Sequence, residues 1–388
     1  MTITGDQNLI KKMNKTIVLD EIKKLELVSR AAISEKTGLN KGTVSSLVNE
    51  LIESQFVYEA GTGKSSGGRK PVMLLFNHQA GYSIGIDLGV NYILYVITDL
   101  SGDIIYEQKE SIHDHSTVAI LSTLIKTIRE LFQKTPKSPY GIIGIGIGVP
   151  GIVNEKGTIL HAPNLGWKNV KLKQALNDEF KVSVVIDNEA NAGTLGENQF
   201  GRGQNAENLI YISAGIGIGV GMILRNKIYR GVSGYAGELG HMTIKADGEQ
   251  CRCGNVGCWE LYASEKALLK QSEAISHDEN KLQQYIHLAA KGDESVMQNF
   301  SQVGVYLGIG ISNIINIFNP ELIIVGGRLS TAEQWIKDTI LSTVEQRALT
   351  YHNQKTEVIF SDLRTKSTTL GASTLAISKF FTDHEELI

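Results

Sequence analysis

Apolar residues recur at helical spacing as far as Ile52 and then give way to short strands, broken by glycines from about residue 81. Val18, Ile22 and Leu25 mark one face of a helix within residues 15–27. A second, short helix fits Arg30 to Thr37, with Ser29 as its cap and Gly38 as its stop. Asn40 can cap a third helix, in which Val44, Leu47, Val48, Leu51 and Ile52 repeat at i, i+3, i+4, i+7 and i+8. Two apolar runs follow, Phe56 to Glu59 and Pro71 to Phe76, separated by the basic, glycine-rich stretch GTGKSSGGRK. The pattern predicts a winged helix-turn-helix over residues 1–78. A small helical bundle with a flexible basic linker is the competing reading, and the order of short helix, glycine turn, amphipathic helix and hairpin favours the winged module.

From about residue 81 the texture is strand, glycine turn, strand. GYSIGIDLGVNYILYVITDLSGDIIYEQ reads as a hairpin with Asp87 and Gly89 at its first turn, followed by a helix from Thr117 to Phe132 and a buried strand in GIIGIGIGVPG. About 120 residues later ENLIYISAGIGIGVGMILRNKIYRG repeats the pattern, and an apolar helix leads into NPELIIVGGRLS. This predicts two similar α/β lobes around a cleft. Lobe one spans about 79–198 with a C-terminal helix at about 367–388, and lobe two about 199–366.

Charge sharpens the reading of the first segment. Residues 1–80 carry 11 Lys and Arg against 8 Asp and Glu, a net of +3, which leaves −6 for the rest of a chain whose total is −3. On the polar face of the third helix, Lys41, Gly42, Thr43, Ser45, Ser46 and Asn49 are small or hydrogen-bonding residues near the helix N-terminus. That is where a recognition helix presents side chains to base edges in the major groove. Lys64, Arg69 and Lys70 supply phosphate-binding charge in the wing. Two-fold symmetry is the expectation for such a module, so a homodimer on a palindromic site follows.

All three cysteines fall within eight positions, Cys251, Cys253 and Cys258, too close and too few for a disulfide framework. With His241 they offer three thiolates and an imidazole, a set suited to tetrahedral Zn2+ in a closed structural site, and Gly254 and Gly257 let the backbone fold around one ion. There is no continuous run of about 18 apolar residues, and the N-terminus has no apolar signal-like core, so a cytoplasmic protein with no membrane partner is expected.

Several motifs in fixed order carry a resemblance that covers nearly the whole chain: GVPGIV, APNLGW, DNEANAG, GELGH, CRCGNVGCWE, NPELIIVGG and TTLGAS. With the winged helix in front, the chain resembles the ROK family of repressors and sugar kinases, whose large domain has the duplicated ribonuclease-H-like fold of actin and hexokinase. The resemblance implies that Asn188, Glu189, Glu238, His241 and Glu260 bind a monosaccharide, with Asn164 on the rim, and that His241, Cys251, Cys253 and Cys258 hold zinc. Within the family the likeness runs to the xylose-responsive repressors of bacilli. It thus implies D-xylose as inducer and a palindromic operator ahead of xylose-utilisation genes.

The resemblance also exposes departures from the kinases. Their general base is an aspartate where this chain has Glu189, and a carboxylate displaced by about 1 Å costs on the order of 100-fold in rate. Their first phosphate loop reads Asp-x-Gly-Gly-Thr against Asp87-Leu88-Gly89-Val90-Asn91, and their second Gly-Thr-Gly against Gly215-Ile216-Gly217. Val90 and Val220 are expected to narrow these loops. The three departures argue against an enzyme, and residual sugar kinase activity is the alternative.

Overall fold

The computed structural model describes residues 7–63, 70–270, 281–384 and 387. The N-terminal helix Gln7–Lys24 begins earlier than its apolar face suggested. The next two helices have the foreseen ends. In Arg30–Thr37 the Ser29 hydroxyl accepts from Ala32 N–H at 3.2 Å, and Gly38 closes the helix with φ 72°. In Lys41–Glu53 the Asn40 side chain accepts from Thr43 N–H at 2.8 Å. Each cap satisfies an end group that the helix itself cannot. Strands Val57–Thr62 and Val72–Phe76 pair antiparallel, and Val28–Ser29 adds a third, short edge.

The residues that follow build two five-stranded sheets of identical topology. In the first, Tyr82–Leu88 lies antiparallel to Tyr92–Asp99 and parallel to Ile142–Val149, with Ile104–Ser111 and Ser183–Asn188 at the edges. The hairpin read from the sequence is therefore a three-stranded meander. In the second sheet, Leu209–Ala214 lies antiparallel to Ile218–Leu224 and parallel to Leu322–Gly326, with Lys227–Ile228 and Glu357–Phe360 at the edges. This repeated order is the duplicated ribonuclease-H-like fold.

The glycines of GIIGIGIGVPG have a packing role that the sequence reading did not assign. They let the C-terminal helix Ser367–Asp383 lie against the strand: a Cβ on Gly146 would stand 1.8 Å from the carbonyl oxygen of Ala372. The same helix packs on Glu189–Phe200, where a Cβ on Gly371 would stand 1.6 Å from the carbonyl oxygen of Ala192. In the second lobe the long helix Glu294–Phe318 follows the third strand, as Thr117–Lys134 does in the first. By length and composition it could cross a membrane, yet Phe300, Leu307, Ile311 and Ile314 on it are fully buried in that lobe's core.

The core of the winged module does not end at the module. One apolar cluster joins Val18, Ile22, Val44, Leu47 and Phe56 to Ile143, Ile377, Phe380 and Phe381. Phe56 stacks on Tyr140 with centroids 4.9 Å apart and meets Phe380 and Phe381 edgewise or tilted at 6.4 and 5.3 Å. The Tyr140 hydroxyl donates to the Ser54 carbonyl at 2.9 Å.

Candidate functional site

A cleft of about 700 Å³ collects every residue that the resemblance assigned to sugar: Asn164, Asn188, Glu189, Glu238, His241 and Glu260. They arrive from separate elements. Asn164 lies in the turn after strand Ile159–Ala162, Asn188 and Glu189 join strand Ser183–Asn188 to helix Glu189–Phe200, Glu238 and His241 bound a single 3-10 turn, and Glu260 opens a short helix. The glycine loop gives them room. A Cβ on Gly217 would stand 2.9 Å from Glu260 Oε2.

These side chains are not equally free. The Asn188 oxygen caps the helix, accepting from Ala190 and Asn191 N–H at 2.8 and 3.2 Å, and its amide donates to the Gly151 carbonyl at 3.0 Å. One amide hydrogen is left for a ligand. Glu189 is enclosed, and burial, reinforced by Asp87 and Glu238, pushes its carboxyl up to about 8. The shift favours its acid form, which can donate to a ligand. Burial likewise pushes Asp87 up to about 6, although the Tyr92 hydroxyl donates to it at 2.6 Å. Glu238 is pushed up by burial and by Glu260, against the pull of His241. Three carboxyls that lean towards their neutral forms suit a pocket for an uncharged polyol.

At the kinase-like end, the ring of Tyr92 lies on Gly89, where a Cβ would meet its Cε1 at 2.5 Å. Arg328 reaches across from the other lobe, 6.0 Å over that ring, and donates to Asn91 Oδ1 at 3.2 Å. Neither residue was singled out from sequence. Arg328 lies 237 positions from Asn91, so only the fold joins them. Val220 does not narrow a loop as expected, because it is buried within strand Ile218–Leu224 and packs in the core.

Beside the sugar residues, the ligand atoms of His241, Cys251, Cys253 and Cys258 lie within 4.8 Å of one another. The Sγ atoms of Cys253 and Cys258 are 3.7 Å apart, as are Cys251 Sγ and His241 Nδ1. A tetrahedral ion with Zn–S bonds of about 2.3 Å sets its sulfurs about 3.8 Å apart, so the cluster has the dimensions of a metal site. Burial pushes the Cys251 thiol up to about 12, and a cation is what stabilises adjacent thiolates. The other imidazole nitrogen, Nε2, faces Glu238 at 3.8 Å, while Glu260 Oε1 stands 3.4 Å from Nδ1 and accepts from Cys251 at 3.3 Å. The cysteine–histidine cluster and the residues expected to meet a sugar thus adjoin at His241 and Glu260.

On the third helix Lys41, Gly42, Ser46 and Asn49 are exposed, and Thr43 and Ser45 are partly covered. Asn49 accepts from Arg30 at 3.1 Å, and Arg30 also reaches Glu59 on the wing at 3.0 Å. Arg30 was missed from sequence because nothing in its spacing distinguishes it from a solvated arginine. Lys70 is exposed at the base of the wing, whereas Lys64 and Arg69 lie outside the described residues.

The chain is similar over its full length to known regulators. It is 45% identical over 378 residues to the xylose repressor of Bacillus subtilis, covering 97% of this chain and 98% of that one. The xylose repressor of Caldicellulosiruptor bescii is 40% identical, with 96% and 98% covered. Among solved structures, a ROK family transcriptional regulator, a homologue of the E. coli Mlc protein, superposes with a TM-score of 0.81 at 28% identity, over 97% of this chain and 99% of that one. A ROK family glucokinase from Streptomyces griseus, solved with glucose and AMPPNP, superposes with a TM-score of 0.69 at 29% identity. It covers only 77% of this chain but 100% of its own. The ROK family model itself matches residues 83–379, well over half of the sequence, and the chain belongs to the ROK family.

Proposed function

We propose that this protein is a sugar-responsive transcriptional repressor that binds a palindromic operator as a homodimer and is released by D-xylose. The observation that carries the reading is the extent of the similarity. The xylose repressors match 96–97% of the chain, whereas the glucokinase matches 77% and so lacks a counterpart for part of it. A winged helix with an exposed polar recognition face supports the DNA half. A cleft of amides and of carboxyls shifted towards their neutral forms supports the sugar half, because each unmatched ligand hydroxyl would cost about 1–3 kcal/mol.

In this reading the domain limits are 1–78 for DNA binding and 79–388 for sensing. Lys41, Gly42, Thr43, Ser45, Ser46 and Asn49 face the bases, and Lys64, Arg69 and Lys70 face phosphates. Asn164, Asn188, Glu189, Glu238, His241 and Glu260 meet the sugar. His241, Cys251, Cys253 and Cys258 hold a structural Zn2+, which fixes the loop and orients His241 for the ligand. With all four ligand positions filled by protein, the metal does not activate water.

Transmission runs along the C-terminal helix. Thr368, near its start, lines the cleft and donates to the Glu189 carbonyl at 3.2 Å; Phe380 and Phe381, near its end, pack on Phe56 of the winged module. A helix is stiff over such a length, so a shift at Glu189 moves the DNA-binding module as a body. Calorimetric titration with xylose, glucose and other monosaccharides, followed by operator titration at saturating sugar, tests the reading. Selective xylose binding with loss of operator affinity is expected. Unchanged operator affinity with every sugar would overturn it.

The second reading is residual ATP-dependent sugar phosphorylation, favoured by Asp87 in the cleft and opposed by the Tyr92 ring on Gly89, with Arg328 over that ring. ATP turnover with xylose or glucose separates the two.

A further inference from the structure

We infer that Arg230 is a positioning residue for the sugar site, acting through Asp187. The inference rests on reading the cleft as a monosaccharide site. Asp187 is buried near the end of strand Ser183–Asn188, immediately before Asn188 and Glu189. Arg230 grips it with a two-pronged bond, Nη1 to Oδ1 at 2.9 Å and Nη2 to Oδ2 at 2.5 Å. The same Oδ1 accepts the Asn188 N–H at 2.8 Å and the Asn191 amide at 3.3 Å. Asp187 therefore fixes the first turn of the helix that presents Asn188 and Glu189.

Arg230 comes from the other lobe. It follows edge strand Lys227–Ile228 of the second sheet, and its own carbonyl accepts Ala236 N–H at 3.1 Å. That bond closes residues 230–236 into a compact loop, after which Gly237, at φ 106°, turns the chain into Glu238. Val232 and Tyr235 on this loop face solvent, so the loop has little apolar burial of its own to fix it. One residue thus holds, by its backbone, the loop leading to Glu238 and, by its guanidinium, the strand end bearing Asn188 and Glu189. Arg230 sets the separation of the two halves of the pocket. A fork of this kind needs arginine, because a lysine ammonium cannot span both carboxylate oxygens in one plane.

The test compares full-length, zinc-loaded wild type with R230A, R230K, D187N and the R230A/D187N double variant. Each is titrated calorimetrically with D-xylose and D-glucose, and hydrogen exchange of amides 231–238 is followed without sugar. R230A should lose roughly 10- to 100-fold in sugar affinity, and R230K should recover little of it. The double variant should be no weaker than R230A, because both substitutions remove one interaction. Loop amides should exchange at least about 10-fold faster in R230A, with zinc content and sugar-free operator affinity as in wild type. Unchanged sugar affinity in R230A overturns the proposal, and so does a loss accompanied by lost zinc or lost operator binding, which marks a merely structural role. If wild type binds neither sugar, the sugar reading itself fails, and the exchange data alone decide whether Arg230 holds the loop.

Discussion

Glu189 shows how enclosure changes what one side chain can do. Its carboxyl, ordinarily near 4.5, is pushed up to about 8 by burial first and then by Asp87 and Glu238. Between those values the unfolded chain has released a proton that the folded chain keeps. The unfolded state therefore binds fewer protons, and stability falls as pH rises, by up to about 1.4 kcal/mol per pH unit. Glutamine keeps the shape without the proton. E189Q should match wild type in urea melts near pH 4 and exceed it near pH 8, whereas parallel pH profiles would mean that Glu189 is ionised in the fold. The cysteines make a second residue-scale case. C253S leaves His241, Cys251 and Cys258 with one ligand missing, so under the proposed reading the protein should lose zinc by elemental analysis and bind sugar more weakly, since His241 is common to both sites and Glu260 stands against it. Zinc retained at one ion per chain in C253S would remove Cys253 from the ligand set.

At the scale of elements, the third helix of the winged module and the C-terminal helix are held by different physics. Lys41–Glu53 depends on a local cap, Asn40 to Thr43 N–H at 2.8 Å. Its removal in N40A should cost about 1 kcal/mol of stability and weaken operator binding, because the capped turn also carries Lys41, Gly42 and Thr43. A thermal melt and an operator titration measure the two effects, and unchanged melting would show that tertiary packing carries the helix start. Ser367–Asp383 depends on the absence of side chains beneath it. G146A would drive a Cβ to within 1.8 Å of the Ala372 carbonyl oxygen, so the helix must lift from the strand at a cost of about 3 kcal/mol or more. Because that helix borders both the cleft and the winged module, G146A should also blunt the sugar response in whatever fraction folds.

At the scale of the whole molecule, the two-lobed domain and the winged module share one core. F380A removes a ring that meets Phe56, Tyr140 and Phe381, a truncation of the class that costs roughly 3–5 kcal/mol when the site is fully packed. Its location gives a sharper expectation than its cost. Sugar affinity should survive, because the cleft lies at the other end of the helix, while sugar-dependent release from the operator should weaken or vanish. Operator titrations of F380A with and without xylose read this directly, and full release in the variant would send the signal by another route.

The chain order of helices, caps and strands was legible in the sequence because those features are local. Ser29, Gly38 and Asn40 act within a turn of themselves, and apolar spacing needs only neighbours to be read. The fold class was legible because its motifs recur in fixed order. What sequence alone did not determine was anything set by approach across the chain. The glycines of GIIGIGIGVPG read as features of a strand, yet their reason is a helix more than 200 residues later. Arg328 reads as an ordinary polar residue until the lobes bring it over the Tyr92 ring, and Arg230 until its fork meets Asp187. Burial, charge pairing and contact between lobes are properties of distance in space. Only the tertiary structure decided them.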